Sequence, residues 1–478
     1  MERVASRERL GADARGRRRR WLATPIALVA AVLLLAPGGL AVVPIPAHAS
    51  DLGTQRIAPA HQVVSWRGSS TSINVMGFSS PLEQACTAST CDVIRVDVEM
   101  PAGSFPTAGD GVLVSVKWAS DVDQWNLYID GPDGLPAGRG ILVVSNAQSV
   151  LVAQPMNGVY TIHVVPFRTT RPVNRSYVGE ARLYRDPQRG AAPGTRLLPR
   201  LQTVAPYDFH IGDVPPMPST PLGWPFPSDG TFPASCYLDE QADYGSRRCL
   251  RFSNDTLNVG EGPIVLRFRY DGIASQCQME QEIVVAGADP VDRNAGPCVF
   301  HRQHGHFHYQ NFAQYLLFAV GADGHPGTSP VARSGKVGYC LVDVDDHSFG
   351  SAQTRPRVYE SPTGCIVGDG RRGLRLNTVP TDHPALWDYM GISVGWGDVY
   401  SWDLPGQYID ISHVGDGVYD VVSRANPDGG ILESAPGLET GITCIRMAGD
   451  RVSVVRDFPS QSNAAPLPNC QAPRHGAG

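Results

Sequence analysis

Strand-length runs rich in Val, Ile, Tyr and Leu recur along the chain, and each meets turn residues before a helical period can develop. Examples are DVIRVDVEM, GVLVSVKW, WNLYIDGPDG, GVYTIHVV, PIVLRFRYDG, QYIDISHV and GVYDVVS. Such runs suit a pleated surface, and the turn chemistry that ends them prevents their extension into helices. With 51 glycines and 40 prolines among 478 residues, and few long amphipathic patterns, the chain is expected to be mostly β. Its length favours two or three domains. Two β-sandwiches are expected, the second with long disulfide-linked loops.

The boundary between them is read from a shift in composition at PQRGAAPGTRLLPR. Residues 51–185 are then a first domain, 186–200 a linker, 201–470 a second domain and 471–478 a tail. In the first domain, DQWNLYIDGPDG followed by GVYTIHVVPF resembles the small β-sandwich modules appended to secreted bacterial hydrolases. The resemblance implies an accessory role, with a cell-surface ligand as one partner. Simple spacing is the competing role.

Ahead of these domains, Arg15, Arg17, Arg18, Arg19 and Arg20 precede an apolar run from Leu22 to Val43 and the small-x-small site Ala47-His48-Ala49. That order reads as an export signal over residues 1–49. Pro25, Pro37, Gly38 and Gly39 interrupt the run and argue against a retained anchor. RRRWL also fits a twin-arginine address, so two export routes stay open. No other stretch is apolar for long enough to span a bilayer. The protein is therefore expected to be secreted, with no membrane association after signal removal. A formal net charge of −6 leaves no basic surface of the kind nucleic acid requires.

Ten cysteines, none in a close C-x-x-C pair, suit an exported disulfide set better than a thiolate metal site. Spacing suggests local loops: Cys86 with Cys91, Cys236 with Cys249, Cys277 with Cys298, Cys340 with Cys365, and Cys444 with Cys470. Other connectivities stay open.

The 13 histidines are unevenly spread: HRQHGHFHYQ places His301, His304, His306 and His308 within eight positions. On an extended strand, residues i, i+2 and i+4 share a face, so His304, His306 and His308 project together while His301 has the opposite parity. Three neutral imidazoles suit copper, zinc or iron, and the Irving–Williams order favours copper among the divalent ions. The flanking Val299, Phe300 and FAQYLLFAV read as buried strand, where unpaired imidazoles would be costly; this favours metal binding over an idle histidine-rich surface. GISVG matches G-x-S-x-G, but a strand rather than a helix follows, so Ser393 is not read as a nucleophile. Asp343, Asp345 and Asp346 offer hard oxygen ligands for calcium, against the simpler reading of a solvated loop.

HRQHGHFH resembles the copper-binding segment of the lysyl oxidase family. Downstream, SGKVGYCLVDV is similar to the segment carrying that family's cofactor lysine, and GISVGWGDVYSWDLPGQYIDI to the one carrying its cofactor tyrosine. The resemblance covers roughly residues 198–470. It implies that the second domain is catalytic, that His304, His306 and His308 hold copper, and that Lys336 and Tyr400 join as lysine tyrosylquinone. It also places Asp398 as a proton acceptor, with His301 as a nearby accessory. The implied reaction converts a primary amine, either peptidyl lysine or a small amine, with molecular oxygen to aldehyde, ammonia and hydrogen peroxide. Lys336 must be deprotonated to attack a quinone, which its apolar neighbours Val337 to Leu341 favour.

Departures are present too. Gln303, Trp396 and Gly406 stand where animal members have cysteines, and Gln314 near a further histidine of theirs. Each residue also has a plainer role: Lys336 at a surface, Tyr400 packed among Trp396, Tyr389, Trp402 and Tyr408, and Asp398 in a turn. The alternative for the whole chain is a non-catalytic exported protein that captures copper or zinc, or attaches to a surface.

Overall fold

The computed structural model describes residues 51–471 except 71–90, 108, 120–123, 141–144, 169–174, 187–189, 213–235, 237–247, 270–276, 302–305, 335–337, 352–354, 360–386, 403 and 405. Residues 1–49, expected as an export signal, lie outside the described residues, as do His304, Lys336, Cys86, Cys365 and the tail beyond residue 471. The described residues form strands, turns and short irregular links, with no helix among them. The mostly-β expectation is met, and all seven quoted runs contain strands.

Residues 51–184 build two sheets. One has five strands, from Asp51–Ile57 through Asp92–Val98, Gly158–Arg168 and Gln124–Asp130 to Pro136–Gly140. The other runs Val63–Ser70, Arg175–Tyr184, Gly111–Trp118, Ala147–Ala153. Between them lies a core that includes Ile94, Val114, Trp125, Leu127, Ile162 and Tyr177. Alternation explains the packing: Asp92–Val98 buries every second side chain fully.

The stretch 186–200 ends in a two-residue strand, Arg196–Leu197, paired with Val284–Val285. Three further sheets then share one large core, which includes Phe252, Leu266, Met279, Tyr315, Leu317, Trp396, Tyr400, Val421 and Ile445. The hub of one of them is the strand Cys249–Asn258, buried along its whole length. It pairs antiparallel with Leu201–Thr203, Tyr207–Gly212, Trp396–Tyr400 and Tyr408–Asp410.

The first sandwich is joined to the 343–357 segment. Lys117 Nζ meets Asp345 Oδ1 at 2.8 Å, Ser145 Oγ donates to the Val344 carbonyl at 2.5 Å, and Arg357 reaches Gln148 Oε1 at 3.3 Å. Ala147, on a sandwich strand, belongs to the larger core.

Disulfides Cys236–Cys249, Cys277–Cys298 and Cys444–Cys470 form as the spacing suggests. Cys91 and Cys340 are also disulfide-bonded. Among the described residues, no helix is long and apolar enough to cross a membrane.

Candidate functional site

The histidine run lies on a hairpin. Val291–His301 pairs antiparallel with His306–Tyr309, setting Cys298 opposite Tyr309, Val299 opposite His308 and His301 opposite His306. Cys298 is tied to Cys277 on the neighbouring strand, which fixes one arm of the hairpin. His308 is buried at 1% exposure. Its backbone position is two residues from that of His306, as an extended strand requires.

Against this hairpin lies the segment Gly338–Cys340. Tyr309 N–H donates to the Tyr339 carbonyl at 2.8 Å, and Tyr339 N–H returns a bond to the Tyr309 carbonyl at 3.0 Å. The approach leaves little room for a side chain at 338. A Cβ there would lie 3.2 Å from His308 Cβ and 3.3 Å from the Tyr309 carbonyl oxygen. The segment that follows Lys336 therefore runs directly beside His308.

The same segment meets Tyr400 on its other flank. Tyr400 Oη accepts the Cys340 N–H at 2.8 Å and donates to the Cys340 carbonyl at 3.1 Å. The Tyr339 and Tyr400 rings cross edge to face, with centroids 3.9 Å apart. Tyr400 ends the strand Trp396–Tyr400, which is held in place by the hub: Asp398 sits opposite Thr256 and Tyr400 opposite Asn254. Asp398 and Tyr400 are two positions apart on this strand and so share a face. Both are buried.

Electrostatics at Tyr400 oppose ionisation. Burial raises the phenol's pKa well above the ordinary value, and the Asp398 carboxylate raises it further; the Cys340 N–H acts in the opposite direction. A cation held by the histidine hairpin would favour the phenolate, so the donor set and the tyrosine suit a copper ion in chemical terms.

Sequence reasoning missed the layer behind this pair. The Tyr339 and Tyr315 hydroxyls are in short contact, and both reach Gln407 Oε1 at 3.3 Å. Gln407 Nε2 in turn donates to the Phe252 carbonyl at 3.2 Å. Tyr339 lies inside a quoted motif, but nothing local marks Tyr315 or Gln407 as its partners. The aromatic surroundings expected for Tyr400 gain a further member. Trp396 lies in the same core cluster as Tyr400, Tyr389 packs with Val265 and Tyr359, Tyr408 packs with Cys236 and Cys249, and Tyr339 sets its ring against that of Tyr400.

Two other motif readings resolve. Ser393 opens a tight turn between two strands and donates through both N–H and Oγ to Asp343, each at 2.7 Å. It is a structural donor, in keeping with the sequence reading. The calcium reading of Asp343, Asp345 and Asp346 is corrected. Asp343 is buried and also accepts the N–H groups of Val358 at 2.9 Å and Tyr359 at 3.0 Å. Four donors therefore engage its lone pairs. Asp346 Oδ1 takes the Ser348 N–H and Oγ, while Asp345 faces Lys117 and His347, so the three carboxylates serve different neighbours. The burial of Asp343 and Asp346 also rules out a solvated loop.

No family model matches the chain. It is similar to lysyl oxidase homolog 4 of Bos taurus, with 25% identity over 203 residues, 41% of this chain and 19% of that protein. Lysyl oxidase homolog 4 of Mus musculus gives 26% identity over 192 residues, covering 40% of this chain and 18% of the relative. Lysyl oxidase homolog 3B of Danio rerio gives 28% over 192 residues, covering 40% and 16%. The chain thus spans less than a fifth of the length of these curated relatives, and the similarity is distant and partial.

Proposed function

We propose that the chain is an exported copper- and quinone-dependent amine oxidase of the lysyl oxidase type, with residues 51–185 as an accessory sandwich and 201–470 as the catalytic part. The observation that carries this reading is the position of Gly338–Cys340, which touches His308 on one side and Tyr400 on the other. The segment that follows Lys336 is thereby the link between histidine hairpin and phenol. The distant likeness to lysyl oxidase homologs agrees in kind.

In this reading His304, His306 and His308 hold copper, which supplies the positive charge and redox capacity for converting Tyr400, joined to Lys336, into lysine tyrosylquinone. The Cys340 peptide groups orient the Tyr400 ring, and Tyr339 packs against it and keeps water away. Asp398 takes the proton from the carbon beside the substrate nitrogen, a role suited to a buried carboxylate next to the reacting ring. One primary amine, one oxygen molecule and one water give one aldehyde, one ammonia and one hydrogen peroxide. Peptidyl lysine and small free amines both fit that chemistry.

The test is peroxide release from copper-loaded protein on addition of primary amines, together with tryptic mass mapping. Peroxide release that disappears in Tyr400→Phe, and a single peptide joining Lys336 to Tyr400, are the expected results. Separate Lys336 and Tyr400 peptides from copper-loaded protein, with no adduct to a carbonyl reagent, would instead favour the non-catalytic metal-binding alternative.

A further inference from the structure

Behind Tyr400, on the other side of its own strand, lies a group of side chains that the oxidase reading does not use. Gly397 and Val399 alternate with Asp398 and Tyr400, so they face the opposite way. Asp255, on the hub strand, is registered against Val399. Its carboxylate fills the space that the missing side chain of Gly397 leaves: a Cβ at 397 would lie 2.3 Å from Asp255 Oδ1. From there Asp255 Oδ2 reaches His347 Nε2 at 2.6 Å, and Asp345 Oδ2 approaches the same nitrogen at 3.2 Å. One ligand atom from each of the three residues lies within 4.8 Å of the other two.

Two features of this group point to a ligand. Two carboxylate oxygens converge on one ring nitrogen, which carries at most one proton, so acceptors outnumber donors at the point where they meet. In addition, Asp255 is 3% exposed, and among the described residues its carboxylate has only the shared His347 nitrogen as hydrogen-bond partner, through Oδ2, while Oδ1, turned toward Gly397, has none. A buried carboxylate left with an unmatched oxygen is costly unless a cation is at hand. Lys117 serves part of this need. Its Nζ takes Asp345 Oδ1 at 2.8 Å and makes a short bond to the Asp346 carbonyl, which leaves Asp345 Oδ2 facing His347. The ammonium acts on Asp255 through its charge, without a hydrogen bond to it among the described residues.

We propose that Asp255, Asp345 and His347 form a second metal site, which binds a divalent transition ion such as Zn²⁺. One imidazole nitrogen and two carboxylate oxygens, with water as fourth ligand, are a donor set zinc accepts in tetrahedral geometry. Bonds of about 2.0–2.2 Å place tetrahedral ligand atoms roughly 3.2–3.6 Å apart. The 2.6 and 3.2 Å separations here need only a small expansion as the ion replaces the Nε2 proton, which is released to solvent. His347 is partly exposed, with 30% of its side-chain surface accessible, so an ion has a way in. The site would join the hub strand to the 345–347 segment at the seam where Lys117 enters from the first sandwich. It does not depend on the oxidase reading, because none of its ligands belongs to the histidine hairpin or contacts the Tyr400 hydroxyl.

The test uses the full mature chain and Zn²⁺ alone. After removal of loose metal, bound zinc is counted by elemental analysis in wild type, His347→Gln and Asp255→Asn, with folding checked by circular dichroism. One zinc equivalent fewer in each folded variant is the expected result, whatever the histidine hairpin retains; an unchanged count overturns the proposal. Should the variants not fold, anomalous diffraction from zinc-soaked wild-type crystals decides. A peak between His347 Nε2 and Asp255 supports the site, and no peak there rejects it. Lys117→Ala keeps all three ligands and removes the competing charge, so it should bind this zinc more tightly; weaker binding would also count against the assignment.

Discussion

Tyr400 closes a two-bond clasp on Cys340: the phenol oxygen receives the backbone N–H at 2.8 Å and donates to the carbonyl of the same residue at 3.1 Å. Both partners are buried. Tyr400→Phe leaves two backbone groups without their bonds, which costs about 1–3 kcal/mol each where no water replaces the hydroxyl. Urea unfolding should show a lower midpoint with an unchanged slope. In the oxidase reading the same variant produces no peroxide from amines.

Gly397→Ala should be more damaging than an ordinary surface glycine substitution. The added methyl meets the Asp255 carboxylate at 2.3 Å, and the carboxylate is held on its far side by His347. Overpacking of this kind typically costs about 1–3 kcal/mol. Thermal unfolding reads the loss. Pairing the substitution with Asp255→Ala should recover part of it, since the clash is then gone.

Asp420 gives a pH signature. It is fully buried opposite Cys444, and neither carboxylate oxygen has a hydrogen-bond partner among the described residues. Burial pushes its pKa up to about 7. A carboxyl whose pKa is raised on folding binds its proton more tightly in the native state, so native stability falls as pH climbs from about 4 to about 7 and levels off above. Asp420→Asn should therefore stabilise the protein by roughly 1–3 kcal/mol at pH 8, with little effect at pH 4. Denaturant midpoints for the two proteins across that range check it.

The Cys277–Cys298 bridge closes a loop with a sequence separation of 21 and braces the strand whose far end carries His301. Replacing both cysteines with serine should lower stability by about 2–4 kcal/mol. In the oxidase reading it also weakens copper binding by the histidine hairpin, because Cys298 is registered against Tyr309, next to His308. Copper titration of the folded double variant, compared with wild type, measures that effect.

Strands with apolar alternation were legible in the sequence, and three of the nearest-neighbour cysteine pairs form because short loops are the easiest to close. The hub strand was not legible. Its sequence, CLRFSNDTLN, carries Arg251, Ser253, Asn254, Asp255, Thr256 and Asn258, yet every position is buried. Distant partners make that tolerable. Arg251 donates to the Trp402 carbonyl at 2.9 Å and the Leu404 carbonyl at 3.0 Å, and Asn258 Nδ2 donates to Gly262 and Ile392 carbonyls at 2.9 and 3.0 Å. Only the Gly262 carbonyl, four positions from Asn258, lies within a local window; the other acceptors are more than 130 positions away. Of the candidate site, residue type and order singled out His308, Asp398 and Tyr400, whose roles belong to the proposed function. The Tyr339–Tyr315–Gln407 layer depends on contacts between residues up to 92 positions apart.

The many partners of the hub strand also set an order of events. Arg251 finds its acceptor at Trp402 only after 151 further positions have been synthesised, and Tyr400 rests on the same ladder. Long-range pairing of this kind forms slowly and late. An emerging chain therefore carries its whole histidine run well before Tyr400 has a ladder to rest on.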